Sequence, residues 1–215
     1  MVVNTRQSIH LDVEGEPVYG ELVVPEDPAG LVVFAAGTSG TRYATLERRL
    51  TDALHRLGIG SVVMDLVSHR ESADRATRSD VDLLTRRFAA QVDWLTDQEV
   101  TADLDLAVCG VDTGAAAAVE YLSSQSTDVA GLAVLNGRLD LVASSVPRLN
   151  HPILFFLEGT HPHLETSYRT AYDRAGVPDR RKHFLHVTNQ DALSIVARWV
   201  ESRLQKPSEP APRAH

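Results

Sequence analysis

Most of what would declare a specialised chemistry is missing from this 215-residue chain. It has one cysteine, Cys109, so no internal disulfide can form, and that sparing use fits a reducing compartment. Lysine is almost absent: Lys182 and Lys206 are outnumbered by arginine, and acidic residues exceed both to give a net charge of −8. With a pI near 5.5, that balance excludes a nucleic-acid groove and an anionic-membrane patch as expectations. No apolar run approaches membrane-spanning length. Met1 to Arg6 lacks the apolar core of a signal peptide, so a cytoplasmic protein is expected. No Gly-x-Gly-x-x-Gly occurs, and the Gly-rich stretch from Gly37 lacks the Gly-Lys-Ser/Thr ending of a phosphate loop. The close pair His161-Pro162-His163 is two residues apart in a Pro-containing loop, unlike the one-face spacing of helical metal ligands. No metal and no cofactor is therefore expected.

What is present is ordinary globular material, 43% hydrophobic and 23% charged, patterned as alternating strands and helices. Ser8 to Val13 and Val18 to Val24 flank Glu14-Gly15-Glu16-Pro17 and predict an antiparallel hairpin at a sheet edge. Leu31 to Ala35 is a continuous apolar run, as a strand buried on both faces requires. A helix with Leu46, Leu50, Ala53, Leu54 and Leu57 on one face follows, closed by Gly58, and Ser61 to Val67 is the next strand. Val81 to Leu95 forms a helix capped by Ser79 or Asp80. Further strands are expected at Leu104 to Cys109, Val129 to Leu135, Ile153 to Leu157 and His183 to Val187. Helices are expected at Thr113 to Ser124, Asp140 to Arg148, Leu164 to Ala175 and Ala192 to Leu204. This predicts one α/β domain over 1–205, a mostly parallel sheet covered on both faces without a large lid, and a disordered Pro-rich tail over 206–215. Functional groups in such a sheet gather at the carboxyl ends of the strands.

One turn stands out. Gly110-Val111-Asp112-Thr113-Gly114 follows an apolar strand and opens an alanine-rich helix. Small residues two before and two after the apex allow the sharp turn of a nucleophile elbow. The apex is Asp112, where such turns carry Ser or Cys.

Together with Gly37-Thr38-Ser39-Gly40-Thr41-Arg42, Asp65-Leu66, Gly137-Arg138-Leu139-Asp140-Leu141 and Glu158-Gly159-Thr160-His161, this turn resembles the dienelactone hydrolase-like group of small α/β-hydrolases. The resemblance runs from about Gly20 to Leu204, and it implies the α/β-hydrolase fold. It also implies three triad positions, and all three differ here: Asp112 at the apex, His161 where an acid is usual, and Asn189 where the His is usual. Ordinary Ser- or Cys-dependent ester hydrolysis is not supported. Backbone amides do not depend on side-chain identity, so the resemblance leaves an oxyanion hole at Thr113 and at Gly37 or Thr38.

A carboxylate at the apex is nucleophilic without deprotonation, but resolving its ester needs a base to activate water; Asn189 cannot serve, and His161 can if its loop brings the imidazole to a water beside Asp112. Alternatively, Asp112 and His161 move protons as a carboxylate–imidazole pair, which suits a hydrolase, lyase or cyclase of a small, mostly apolar carbonyl- or lactone-type substrate. A third reading is an inactive member that only binds. Asn189 serves equally as an N-cap of the last helix, the reading favoured here. Cys109 reads as a small buried apolar residue. His69, His163 and His186 are candidate cleft residues, although His186 can instead point into the sheet packing. No nucleic-acid or membrane partner is expected, and a homodimer is admitted.

Overall fold

The computed structural model describes residues 3–36, 41–159, 161–187 and 192–205. The tail at 206–215 lies outside them. Eight strands form one sheet in the order β1-β2-β4-β3-β5-β6-β7-β8. They are β1 (Val3–Val13), β2 (Glu16–Pro25), β3 (Leu31–Ala36), β4 (Gly60–Asp65), β5 (Leu106–Val111), β6 (Leu132–Leu135), β7 (Ile153–Glu158) and β8 (Lys182–Val187). β1 and β2 pair antiparallel, as do β2 and β4, and the other pairs are parallel. The edge hairpin closes through Glu14 and Gly15, both with positive φ (57° and 81°). That is the two-residue geometry whose twist matches the flanking strands.

Among the described residues there are six helices, α1 (Thr41–Arg56), α2 (Arg75–Arg78), α3 (Val81–Thr96), α4 (Thr113–Ser124), α5 (Pro162–Arg174) and α6 (Leu193–Leu204); α2 buries no residue, and the other five cover the sheet. Leu46, Leu50 and Leu54 of α1 pack with Val196 and Val200 of α6 against one face, which includes Val32 and Phe34. Phe88 of α3, Ala115 to Val119 of α4 and Tyr168 of α5 cover the other. The five residues Ala115 to Val119 are fully buried, and their small side chains let α4 lie close to the sheet.

Caps follow the sequence signals. Asp80 caps α3 by accepting from the Leu83 amide at 3.0 Å. Gly58, at φ 72°, ends α1 in a paired turn: its amide donates to His55 O at 3.0 Å, and Ile59 N donates to Leu54 O at 3.1 Å.

Three expected elements are corrected. The helix expected at Asp140 to Arg148 is two short 3₁₀ turns, Leu139–Val142 and Val146–Arg148. Pro147 has no amide to continue a helix, and the Ser145 hydroxyl turns to Glu120 instead. The strand expected from Val129 begins at Leu132, because Ala130 and Leu132 use their amides on Leu106 O and Pro152 O below the paired ladder. The strand expected over Ser61 to Val67 stops at Asp65, where its partner β3 ends at Ala36.

Candidate active site

The turn between β5 and α4 is sharp and lies at the carboxyl edge. Asp112 has φ 51° and ψ −125°, a conformation that glycine adopts freely and that a Cβ disfavours. Three backbone hydrogen bonds hold it there. Its amide donates to Leu135 O at 3.3 Å, and its carbonyl accepts from Ala115 N at 3.2 Å and Arg138 N at 3.0 Å.

Gly110 makes the turn sterically feasible, since a Cβ there would lie 2.5 Å from the Ala115 Cα. Gly137 does the same from the β6 side, where a Cβ would lie 2.5 Å from the Ala115 Cβ. The Gly137 amide donates to the Tyr168 hydroxyl, which anchors α5 to this turn. Thr113 heads α4 and is 5% exposed, and its hydroxyl is buried without a partner.

Cys109, inside β5, is fully buried, and burial pushes its thiol up to about 12. A thiol so hard to ionise is a packing residue and not a nucleophile.

His161 stands at the head of α5, just past the end of β7. It is partly buried, and its Nε2 lies 3.5 Å from where a Cβ on Gly159 would stand. β6 separates β5 from β7, so the strands that end before Asp112 and before His161 lie two inter-strand spacings, about 10 Å, apart. Asn189, Gly37 and Thr38 lie outside the described residues.

His186 is corrected. It neither lines a cleft beside Asp112 nor packs into the sheet. It is exposed on the edge strand β8, about 14 Å across the sheet from β5, with Nε2 2.9 Å from Gly159 O. His69 and His163 are also exposed. Among the described residues no group of three or more His, Cys, Asp or Glu side chains is arranged to hold a metal ion.

Residues that the sequence reading passed over also shape this edge. Asn136 ends β6 at φ 48° and is 5% exposed. Its Oδ1 accepts from Glu158 N at 2.8 Å, and its amide donates to Phe156 O at 3.0 Å, stitching the tips of β6 and β7 together. Asn tolerates this left-handed backbone, which is the only sequence signal that could have marked it. Glu158 therefore places a partly buried carboxylate at the tip of β7.

Arg138 follows Gly137 and is forked onto Asp140, with Nε and Nη2 at 2.9 and 2.7 Å from the two carboxylate oxygens. That pairing holds the Asp140 carboxyl below its ordinary range.

Beyond β4, the segment from Leu66 to Ala73 is pinned from beneath. Arg87 of α3, 2% exposed, donates to both oxygens of Glu71 at 2.6 and 2.8 Å and to Leu66 O at 2.9 Å. Glu71 also accepts from Ser68 N at 2.8 Å. These bonds, the guanidinium first, pull the Glu71 carboxyl down to about 2.

No protein-family model matches the chain. Over 143 residues, 66% of its length, it is 34% identical to a Mycobacterium tuberculosis protein provisionally named a phosphoribosyl transferase. The chain spans about a third (32%) of the length of that curated relative. Among solved structures it resembles a dienelactone hydrolase from Anabaena variabilis, with a TM-score of 0.80 and 24% identity, covering 92% of this chain and 95% of that one. A cold-adapted esterase from an Arctic intertidal metagenomic library matches at TM-score 0.74 and 13% identity, covering 93% and 94%. No helix among the described residues is long and apolar enough to cross a membrane.

Proposed function

We propose that this chain, which has the dienelactone hydrolase-like α/β-hydrolase fold, is an enzyme whose chemistry is carried by Asp112. The observation that carries the reading is the backbone at that residue. A non-glycine side chain is held at φ 51° by three hydrogen bonds, at the carboxyl end of a central strand. Strain of this kind costs about 1–3 kcal/mol and persists where a side chain must be presented above a sheet. Asp112 then stands at a nucleophile elbow, with the Thr113 amide at the head of α4 as a donor to a developing oxyanion.

The favoured role for Asp112 is acid/base catalysis on a small, mostly apolar carbonyl- or lactone-type substrate, with His161 as its partner. A covalent ester on Asp112 would need a general base to admit water, and the resemblance puts Asn189 where that base normally stands. A carboxylate and an imidazole that exchange protons with a substrate also suit a lyase or cyclase. The phosphoribosyl transferase name belongs to a protein three times longer than the matched segment. A net charge of −8 works against drawing a multiply anionic ligand to this part of it.

The test is a substrate panel of lactones and activated esters run on the wild type, Asp112→Asn and His161→Ala, with one turnover in heavy-oxygen water. Acid/base catalysis predicts a loss of roughly 100-fold or more in both variants and no label in Asp112. Label in the Asp112 carboxylate would make it a nucleophile instead. Full activity in Asp112→Asn, or ligand binding without turnover on any substrate, would remove the catalytic reading.

A further inference from the structure

Three consecutive residues at the tip of β6 tie the Asp112 turn to the elements that lead to His161. Arg138 N donates to Asp112 O at 3.0 Å. Gly137 N, one residue earlier, donates to the Tyr168 hydroxyl of α5. Asn136, one residue before that, accepts from Glu158 N through its Oδ1 at 2.8 Å and donates its own amide to Phe156 O at 3.0 Å. Arg138 thus holds the backbone of the turn, Gly137 holds α5, and Asn136 holds the tip of β7.

Both of the latter elements lead to His161. Its carbonyl accepts from Glu165 N at 2.9 Å, so it heads the helix that carries Tyr168 about two turns further on. β7 ends at Glu158, just before it. The Tyr168 hydroxyl is fixed in place. Its side chain is fully buried, with the ring centroid 6.1 Å from that of Phe155 and 6.1 Å from that of Phe184. While accepting from Gly137, it donates at 3.5 Å to Val134 O of the same strand. Asn136 is equally specific. Glycine would satisfy its backbone at φ 48°, but only a side chain with an acceptor can also take the Glu158 amide.

We infer that Asn136 and Tyr168 are positioning residues that set where His161 stands relative to Asp112. The inference rests on the reading of that pair as the chemical centre. Neither residue acts on the substrate itself. Each fixes an element that leads to the imidazole, and both bonds meet on the three-residue junction that also holds the Asp112 carbonyl. Proton transfer depends steeply on such placement: a shift of about 1 Å caused by a remote change can cost about 100-fold in rate.

The test combines hydrogen exchange of the full chain with kinetics on the panel of lactones and activated esters. Tyr168→Phe keeps the ring and removes the hydroxyl. Asn136→Gly keeps the backbone and removes Oδ1, whereas Asn136→Asp keeps both. In Tyr168→Phe the amides of Arg138 and Glu165, which hold the Asp112 and His161 carbonyls, should exchange at least about tenfold faster, with β1 and β2 unchanged. In Tyr168→Phe and Asn136→Gly, kcat should fall about 10- to 100-fold with KM held within about twofold, while Asn136→Asp stays within about threefold of the wild type. Unchanged exchange at Arg138 and Glu165, or faster exchange spread evenly over the sheet, would overturn the inference. So would a loss carried by KM, or an Asn136→Asp as impaired as Asn136→Gly. A wild type that turns over no member of the panel removes the catalytic reading of Asp112 instead, and the exchange result then decides the inference by itself.

Discussion

Replacing Glu71 with Gln should cost far more than a surface change, because it strands Arg87. That guanidinium is 2% exposed and spends two bonds on the Glu71 carboxylate and one on Leu66 O. Two routes give the magnitude. Breaking one side of a buried ion pair costs about 3–5 kcal/mol. Independently, pulling Glu71 from 4.5 down to about 2 corresponds to about 3 kcal/mol of preference for the ionised form in the fold. At about 2–4 °C per kcal/mol for a chain of this size, the melting temperature near pH 7 should fall by roughly 6–12 °C. Because the folded value is depressed, the contribution is fully present above the ordinary 4.5 and fades as pH falls through about 2. Thermal melts of both proteins from neutral to acid pH should therefore converge at the acid end. The double variant Arg87→Met/Glu71→Gln should recover much of the loss, since it removes the buried charge along with its partner. A fall of less than about 2 °C near pH 7, or a gap that does not close on acidification, would refute the reasoning.

Further expectations concern the turn and one buried imidazole. Asp112→Gly should raise stability by about 1–3 kcal/mol in chemical denaturation while abolishing turnover, because it relieves the backbone conformation that presents the carboxylate. A less stable variant would argue against strain there. Gly110→Ala should be among the worst small changes in the protein, since its Cβ would meet Ala115 backbone at 2.5 Å; soluble, wild-type-like melting would count against it. His151 is buried, bonded at 2.9 Å to Thr127 O, and held below its ordinary value of 6.5 by burial. The fold resists its protonation, so stability should drop as pH falls below that value. His151→Gln should flatten the acid limb of a melting-temperature profile, and an unchanged limb would exclude His151 as its cause.

The sheet was legible because its signals are local. The apolar run at Leu31, the helical spacing of α1 and the glycine at Gly58 each carry their own instruction, and the structure follows them. The turn at Asp112 was legible for the same reason, since only small residues fit around it. What the sequence hid depends on contacts between distant segments. Asn136 acts on a strand tip 22 residues away, Tyr168 reaches a turn 31 residues back, and Arg87 serves a loop 16 residues earlier. None of these pairings has a periodicity to read. The short helix expected at Asp140 breaks into two 3₁₀ turns because Pro147 has no amide to continue it. The place of His186 was not legible, because alternation along a strand says which face a residue takes, not how far that strand lies from the site.

The order of the strands also bears on how the chain is made. β3 lies between β4 and β5, and its first pairing with β5 joins Leu31 to Leu106. Every residue of β3 is apolar and ends up buried. On the ribosome, that strand emerges and can gain β4 soon afterwards, but its other edge has no partner until 75 more residues have been added (106 − 31). At about 5–20 residues per second, the wait is roughly 4–15 s. For that interval the nascent chain carries an apolar strand with one unpaired edge, a surface open to wrong pairings.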